Sequence, residues 1–483
     1  MASQLFATKP IERIISESEG GEHTLKRTLG AGQLVALGIG AIIGAGLFSL
    51  TGIAAANNAG PAVTLAFVLA AVGCVFAGMC YSEFATMIPI AGSAYTYSYA
   101  TMGELLAWII GWDLVLEYAV GAATVSVSWS AYLTSLLKDF GIIFPAQWAA
   151  SPWVQVHLAD GTTANGIMNI PAMFIIVIIS SLLVIGIQES ARVNAVIVVV
   201  KVAVVIIFII LGWSYIRPEN YTPYIPPPTG ESGQFGWGGI VRAAGVVFFA
   251  FIGFDAVSTA AQEAKRPQRD MPIGIIGSLA VCTILYVLFA HVLTGIVNYA
   301  DFKGVAAPVA LAVDRTDYRW LGSAVKFAII AGYSSVILVM LLGQSRVFFS
   351  MSRDGLLPKL FSDIHPKFRT PWRSNLLFMV FVAAFGAFAP IEVVGEMTSI
   401  GTLFAFVLVC AGIMVMRKTH PNLPRPFKTP LVPLVPILGI LANLYLMWGL
   451  GWTNWLRLFV WLAIGLLIYF FYSRKNSNVR QSA

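Results

Sequence analysis

The chain has 483 residues, of which 58% are hydrophobic and only 11% are charged, and its mean hydropathy is +0.80. Soluble domains carry roughly 25% charged residues, so this composition excludes a water-soluble globular protein. The net charge of +7 comes from basic residues between apolar runs. That placement indicates a role in membrane topology and argues against a nucleic-acid partner.

Apolar runs separated by short charged or Pro/Gly-rich loops recur along the whole chain. A membrane-spanning helix needs about 20 apolar residues, and this criterion predicts an all-α integral membrane protein with twelve spans. The predicted spans cover residues 33–54, 62–85, 104–136, 168–188, 191–213, 238–261, 272–296, 323–350, 374–390, 392–415, 431–449 and 453–473. A polar N-terminal tail, 1–32, and a short C-terminal tail, 474–483, flank them.

Lysine and arginine residues are distributed unevenly between the two sides of the predicted membrane. With the N-terminus in the cytoplasm, most of the 30 basic residues fall on the cytoplasmic side, among them Arg417, Lys418 and Lys428. The positive-inside rule therefore favours an even number of spans and two cytoplasmic termini. Because the external loops offer little besides Asn220 for glycosylation, we expect a multi-pass protein of a bacterial plasma (inner) membrane.

The first predicted span is unusually rich in glycine at mid-membrane depth. Four glycines fall within residues 38–46, and each costs a helix about 1 kcal/mol relative to alanine. Two explanations stay open for this segment taken alone. Small residues can let two helices approach closely, or the helix can unwind and leave backbone groups free to bind a ligand.

The sixth predicted span carries a second interruption, with Gly253 inside an apolar run and Asp255 two residues later. The two interrupted spans are separated by the interval that an inverted repeat of five plus five helices would produce. Half-helix N-termini attract an anionic group, and free carbonyl oxygens suit an ammonium group. Paired breaks therefore predict a mid-membrane site for a zwitterionic α-amino acid.

Four groups of motifs, in order and at matching spacing, resemble those of the amino acid–polyamine–organocation superfamily. They comprise residues 38–48, then 81–84 with 89–97, then 254–258 with 263–272, and finally 345–358 with the Pro-containing pairs at 365–366 and 370–371. Within the superfamily the chain is most similar to bacterial members of the cationic amino acid transporter family, as Gly103, Glu104 and residues 111–113 indicate.

The resemblance implies a leucine-transporter-type fold with one repeat over 33–213, an inverted repeat over 238–415 and two further helices over 431–473. It also implies a secondary amino acid transporter that works by alternating access, and neither an enzyme nor a protein with a cofactor or metal. By analogy, the substrate carboxylate would bind backbone groups of Ile42, Ile43, Gly44, Ala45 and Gly46, and its amine the carbonyls of Phe249, Ala250 and Ile252. We expect a monomer in the lipid bilayer, although small single-span membrane peptides can associate with some bacterial members.

Lys201 lies in the middle of the otherwise apolar fifth span. A charge near the bilayer centre costs about 2.5–3.5 kcal/mol, so it is a functional candidate unless the side chain snorkels toward the edge near Arg192. In proton-coupled members of the superfamily, a lysine of this helix stands where sodium-coupled relatives bind an ion. Because a desolvated lysine can release its proton at physiological pH, we predict proton-coupled symport, with Gly40, Ser334 and Ser335 as its partners.

Acidic residues within spans are the remaining polar candidates: Asp113, Glu117 one helical turn later, and Asp255. The pattern favours a structural hydrogen bond or ion pair for Asp113 and Asp255, and leaves Glu117 open between that role and a place on the transport pathway.

Met340 of the eighth span is a candidate wall of the side-chain pocket. An apolar wall favours small or medium neutral amino acids. The alternatives to symport are an amino acid exchanger and a sensor that does not transport.

Overall fold

The structure, a computed structural model, describes residues 5–10, 29–88, 93–158, 161–186 and 191–481. In this part of the chain, eight helical segments are long and apolar enough to cross a membrane, and four shorter apolar helices accompany them. Every predicted span overlaps a helix. The prediction of a helical multi-pass membrane protein is therefore confirmed, whereas the number of crossings and the internal repeat stay predictions. Motif residues 89–92 and tail residues 11–28 lie outside the described ranges.

The helices follow the predicted spans in chain order. The α-helices run over Ala31–Ile42, Thr51–Ala54, Val63–Met87, Ser93–Thr101, Glu104–Val115, Gly121–Asp139, Ile170–Ile185, Ala191–Gly212, Gly236–Val247, Ala256–Thr259, Pro267–Ile296, Pro308–Asp314, Arg319–Arg353, Trp372–Phe388, Ile391–Thr419, Leu434–Gly449, Trp452–Ile468, Arg474–Asn476 and Asn478–Gln481. Segments of π-helix cover Gly46–Leu50, Ala55–Ala59, Leu116–Val120 and Tyr469–Ser473.

Shorter elements lie mostly in the connections. Turns of 3₁₀-helix cover Gly60–Ala62, Ala146–Trp148, Trp213–Tyr215, Pro218–Tyr221, Phe248–Phe251, Ala261–Glu263, Tyr299–Phe302 and Lys359–Phe361. Strands Gln155–His157 and Thr163–Asn165 form a small antiparallel hairpin between the third and fourth spans, with Val156 opposite Ala164. The hydropathy pattern did not predict this hairpin, because three-residue strands in a polar loop leave no periodic signal.

Of the eight long apolar segments in the described residues, those of the third and sixth spans are the most enclosed. In their most apolar windows, 78% and 83% of residues are buried, against 22% in the twelfth span. Lipid is therefore available as a neighbour to much of the twelfth span but to little of the third or sixth. Polar side chains on these two enclosed helices face protein, which is where intramembrane charges are tolerated.

Both chain ends pack against the same end of the helix bundle. Lys9 donates to Asp354 after the eighth span (2.8 Å). Near the other terminus, Arg480 donates from Nε to the buried Glu104 carboxylate at the start of the third span (2.8 Å). Tyr469 donates to the same carboxylate (2.9 Å). The described parts of the two polar tails, residues 5–10 and 474–481, are thus bonded to the bundle.

Candidate functional site

The first span is interrupted at mid-length. Helix Ala31–Ile42 ends there, and Ile43 is extended, with ψ of 107°. The amide groups of Leu47 and Phe48 both donate to the Gly44 carbonyl oxygen (3.2 and 3.3 Å), so a second half-helix begins at this point and runs to Ala59. Its amino-terminal end, with the positive end of the helix dipole, lies inside the bundle.

The sixth span is interrupted in the same manner. Helix Gly236–Val247 continues as a 3₁₀ turn to Phe251, after which Ile252 is extended, with ψ of 133°. Gly253 then adopts φ of +115°, a conformation that residues with a side chain rarely take. The chain re-enters helical structure at Ala256.

The two breaks touch each other through their backbones. A Cβ atom added at Gly46 would lie 2.2 Å from Cα of Ala250, and one added at Gly253 would lie 2.8 Å from the carbonyl oxygen of Ala41. Close approach and unwinding, which the sequence left as alternatives for the first span, therefore occur together. The glycines allow two unwound segments to lie side by side.

The residues predicted to bind the substrate backbone meet at this contact. The side chains of Ile42, Ile43, Ala45, Phe249, Ala250 and Ile252 are all at least 96% buried. Gly44 faces the eighth span, since a Cβ atom there would lie 3.6 Å from Val336. The structure thus brings the two predicted groups together in the interior of the bundle.

Tyr286 of the seventh span joins the two breaks, and sequence reasoning did not single it out. Its hydroxyl oxygen lies 3.0 Å from the carbonyl oxygen of Ile42 and 2.9 Å from that of Ala250. A tyrosine inside an apolar span is ordinarily a packing residue, so its type alone gave no signal. Its register on the helix, opposite both breaks, is visible only in three dimensions.

Lys201 points into the bundle. Its ammonium group donates to the Gly40 carbonyl oxygen (2.9 Å), and the residue is 99% buried. A Cβ atom at Gly40 would lie 2.2 Å from Val198, one turn from the lysine, and one at Gly332 would lie 2.8 Å from Cε of Lys201. The lysine therefore passes between the first and eighth spans at two glycines, instead of extending to the membrane edge.

The two serines predicted beside Lys201 differ in their contacts. The Ser334 hydroxyl accepts from the Trp129 indole (3.0 Å) and donates to the Ile330 carbonyl oxygen (3.0 Å). Ser335 is buried on the next position of the same helix. Adjacent helical residues point about 100° apart, so the two hydroxyls face different directions.

The three intramembrane acids lie close together and are almost fully buried. Among the described residues, neither carboxylate oxygen of Asp113 has a hydrogen-bond partner. The Glu117 carboxyl has no well-aligned hydrogen bond there either, although the Asp255 carboxyl and the Thr402 hydroxyl lie near it. One oxygen of Asp255 accepts from the Tyr118 hydroxyl (3.3 Å).

The eighth span forms the wall opposite the first break. Met340 is buried one turn after Val336, and its sulfur would lie 3.3 Å from a Cβ atom added at Gly121 of the third span. The same position on Gly121 would lie 3.4 Å from the Thr398 methyl group. Met340 thus fills space between the third, eighth and tenth spans, next to the segment that contacts Gly44.

Comparison with known proteins places the chain among permeases. A family model described as "Amino acid permease" matches residues 29–470. The branched-chain amino acid permease BcaP of Bacillus subtilis (strain 168) is 46% identical over 481 residues, which cover 100% of both chains. The methylthioribose transporter of the same organism is 42% identical over 475 residues, covering 98% of this chain and 99% of its own. The vacuolar cationic amino acid transporter 4 of Arabidopsis thaliana is 35% identical over 424 residues, 87% of this chain and 68% of its own.

Proposed function

Because the chain belongs to the amino acid permease family, within the amino acid–polyamine–organocation superfamily, and is therefore a multi-pass membrane transporter and not an enzyme, we propose that it carries neutral L-amino acids together with protons. Transport occurs by alternating access around the paired breaks of the first and sixth spans. The protein works in the plasma membrane, with both termini in the cytoplasm.

The hydrogen bond between Lys201 and Gly40 is the observation that carries this proposal. The protonated lysine supplies a positive charge to the end of the first half-helix, where unpaired carbonyl groups concentrate partial negative charge. Gly40 lies two residues before Ile42, so the proton site and the substrate site share one half-helix. Loss of the proton removes the charge that holds this half-helix against the fifth span, and frees it to move.

The substrate lies between the two breaks in this proposal. Its carboxylate meets the amino-terminal end of the half-helix that begins near Gly46, and its ammonium group meets carbonyl oxygens of Phe249, Ala250 and Ile252. Its side chain points to the wall formed by Val336 and Met340. An apolar wall supplies dispersion contact and no counter-charge, which favours neutral aliphatic side chains over long cationic ones. Two of the relatives are named as branched-chain amino acid permeases, which supports this choice.

Glu117 has a separate role in this proposal. It lies on the enclosed third span beside Asp255, and its carboxyl group loses hydration without gaining a well-aligned partner in the described structure. Such a group is costly to bury in its charged form. We assign it to the pathway that a proton or the substrate follows between the breaks and the cytoplasm.

The test is uptake by the native protein in liposomes. A panel of radiolabelled neutral and cationic L-amino acids, with methylthioribose added because a relative is named for it, is offered with and without an inward proton gradient. Symport predicts that the gradient drives accumulation of neutral amino acids such as leucine. Uptake that requires preloaded amino acid and does not depend on the proton gradient would show that the protein is an exchanger. Specific binding without any flux would make it a sensor.

A further inference from the structure

A single hydroxyl group lies between the two helix breaks. Tyr286, on helix Pro267–Ile296, places its oxygen within hydrogen-bonding distance of the carbonyl oxygens of Ile42 and Ala250. Both carbonyls belong to the last turn of a half-helix, where no intrahelical amide remains to pair with them. From this geometry we infer that Tyr286 is a positioning residue, which holds the two breaks in the arrangement that binds substrate.

The hydroxyl carries one hydrogen atom and faces two acceptors. It can donate to only one carbonyl oxygen at a time, so the two carbonyls share its proton. Both carbonyl oxygens have this donor within reach only while both stay near the hydroxyl. Tyr286 therefore favours the arrangement in which the first and sixth spans meet at their breaks, and either span moving away would lose this donor.

Ring packing fixes the position of the hydroxyl. The Tyr286 ring lies 5.4 Å from the ring of Phe67 and 5.3 Å from that of Phe251, and the residue is fully buried. A buried ring held between two others has few alternative rotamers. Removing the oxygen alone would leave this packing in place. The hydroxyl can therefore be tested separately from the ring.

The role assigned to Tyr286 rests on the proposed function, because Ala250 supplies one of the carbonyls for the substrate ammonium group. A carbonyl oxygen has two lone pairs, so a bond from Tyr286 leaves the second one for the substrate. The bond also orients the Ala250 carbonyl group, and with it the direction of the second lone pair. Since the hydroxyl bonds to backbone groups of the two breaks, we expect its influence to fall on the backbone of the substrate and not on its side chain.

The experiment compares Tyr286→Phe with Tyr221→Phe, each purified as folded protein and reconstituted. Tyr221 is a matched control, since its hydroxyl also donates to a backbone carbonyl, that of His291 (2.7 Å), outside the breaks. Equilibrium binding of radiolabelled L-leucine and L-alanine is measured per folded protein, followed by the KM and maximal rate of uptake and the thermal midpoint.

For Tyr286→Phe we expect the Kd and KM to rise about tenfold, a change of roughly 1.4 kcal/mol. The factor should be the same for leucine and alanine, and the maximal rate should stay within about twofold of native. A Kd equal to that of Tyr221→Phe would overturn the inference, as would a lower thermal midpoint with unchanged Kd. If the native protein bound neither amino acid, the proposed function would fall together with this role. Native binding with no effect of Tyr286→Phe would overturn the role alone.

Discussion

Two groups of buried carboxylates in this protein have opposite surroundings. At the end of the bundle that holds both termini, Glu83 accepts from Arg417 Nη2 (2.8 Å) and from the Thr429 amide (2.7 Å). Glu104, in the same layer, accepts from Arg480 and from hydroxyl groups. Each carboxylate is fully buried and has its charge and lone pairs satisfied.

The three acids of the third and sixth spans are buried to the same degree without comparable partners. Across the described parts of the chain, both oxygens of Asp113 and of Glu117, and one of Asp255, have no hydrogen bond of good geometry. Burial of a polar group without compensation costs free energy, so an uncompensated intramembrane acid is by default a hypothesis for a functional residue. We call the paired acids Glu83 and Glu104 the structural layer, and we predict that the acids of the third and sixth spans form a working layer that serves transport.

The largest expected loss of stability comes from removing the paired acid Glu83. Glu83→Ala leaves Arg417 without its carboxylate, and we expect about 3–5 kcal/mol of destabilisation, the range for a broken buried ion pair. Thermal unfolding in detergent measures it, with Asp363→Ala as control. Asp363 pairs with Arg373 at the surface, where a pair contributes below about 1 kcal/mol. Equal stability of the two variants would show that pairing does not mark the structural layer.

Arg480→Ala should have a smaller effect on stability. Glu104 would lose its ion pair but keep donors from Tyr99, Tyr469 and Ser477. We expect a loss of about 1–3 kcal/mol, the range for one buried hydrogen-bonded partner. Thermal unfolding gives the stability, and leucine binding per folded protein should equal that of native. Reduced binding by a normally stable variant would instead connect the C-terminal tail to the transport cycle.

Helix positions were predictable from the sequence because apolar runs of about 20 residues respond to a single constraint, bilayer thickness. The breaks were also visible, since glycine in mid-span is unfavourable unless the backbone needs it. What the sequence did not reveal are contacts that depend on register between distant helices. The sequence analysis did not single out Tyr286, and it could not show that the Ser334 hydroxyl bonds to Trp129 and Ile330. The role of Ser334 beside Lys201 stays a prediction.

The lack of a hydrogen bond to Asp113 within the described residues was likewise not predictable. The sequence shows its spacing from Glu117 but not which side chains of other helices reach it, and the pattern favoured a bonded structural role. In the structure, Gly401 of the tenth span faces Asp113, and a Cβ atom there would lie 3.3 Å from the carboxylate. A glycine has no side-chain donor to offer, so the acid meets a surface that cannot pair with it.

Glu117→Gln should change transport more than stability. The variant replaces a carboxyl group that has no well-aligned partner in the described structure with a neutral amide, so we expect the thermal midpoint to stay at or above the native value. Gradient-driven leucine uptake should fall about tenfold, equivalent to roughly 1.4 kcal/mol. Glu219→Gln, on an exposed loop, serves as the control. Normal uptake combined with reduced stability would show that Glu117 has a structural role, like Glu83 and Glu104.

The smallest expected effect is on selectivity. Met340→Ala enlarges the space between the third, eighth and tenth spans, and we expect preference to shift from alanine toward larger neutral amino acids by less than about tenfold. Competition for leucine uptake by a series of amino acids measures this shift. Met447→Ala removes a buried methionine of the eleventh span and should leave the order of preference unchanged. An unchanged order for Met340→Ala would remove Met340 from the pocket wall.

Lys201 provides the most direct test of the central claim, that a proton on this residue is coupled to the substrate site. Reconstituted Lys201→Ala should bind leucine and exchange it across the membrane when leucine is preloaded. An inward proton gradient should no longer drive its accumulation, whereas it drives that of the native protein. Gradient-driven accumulation by Lys201→Ala at the native level would contradict the account and return the bond between Lys201 and Gly40 to a purely structural role.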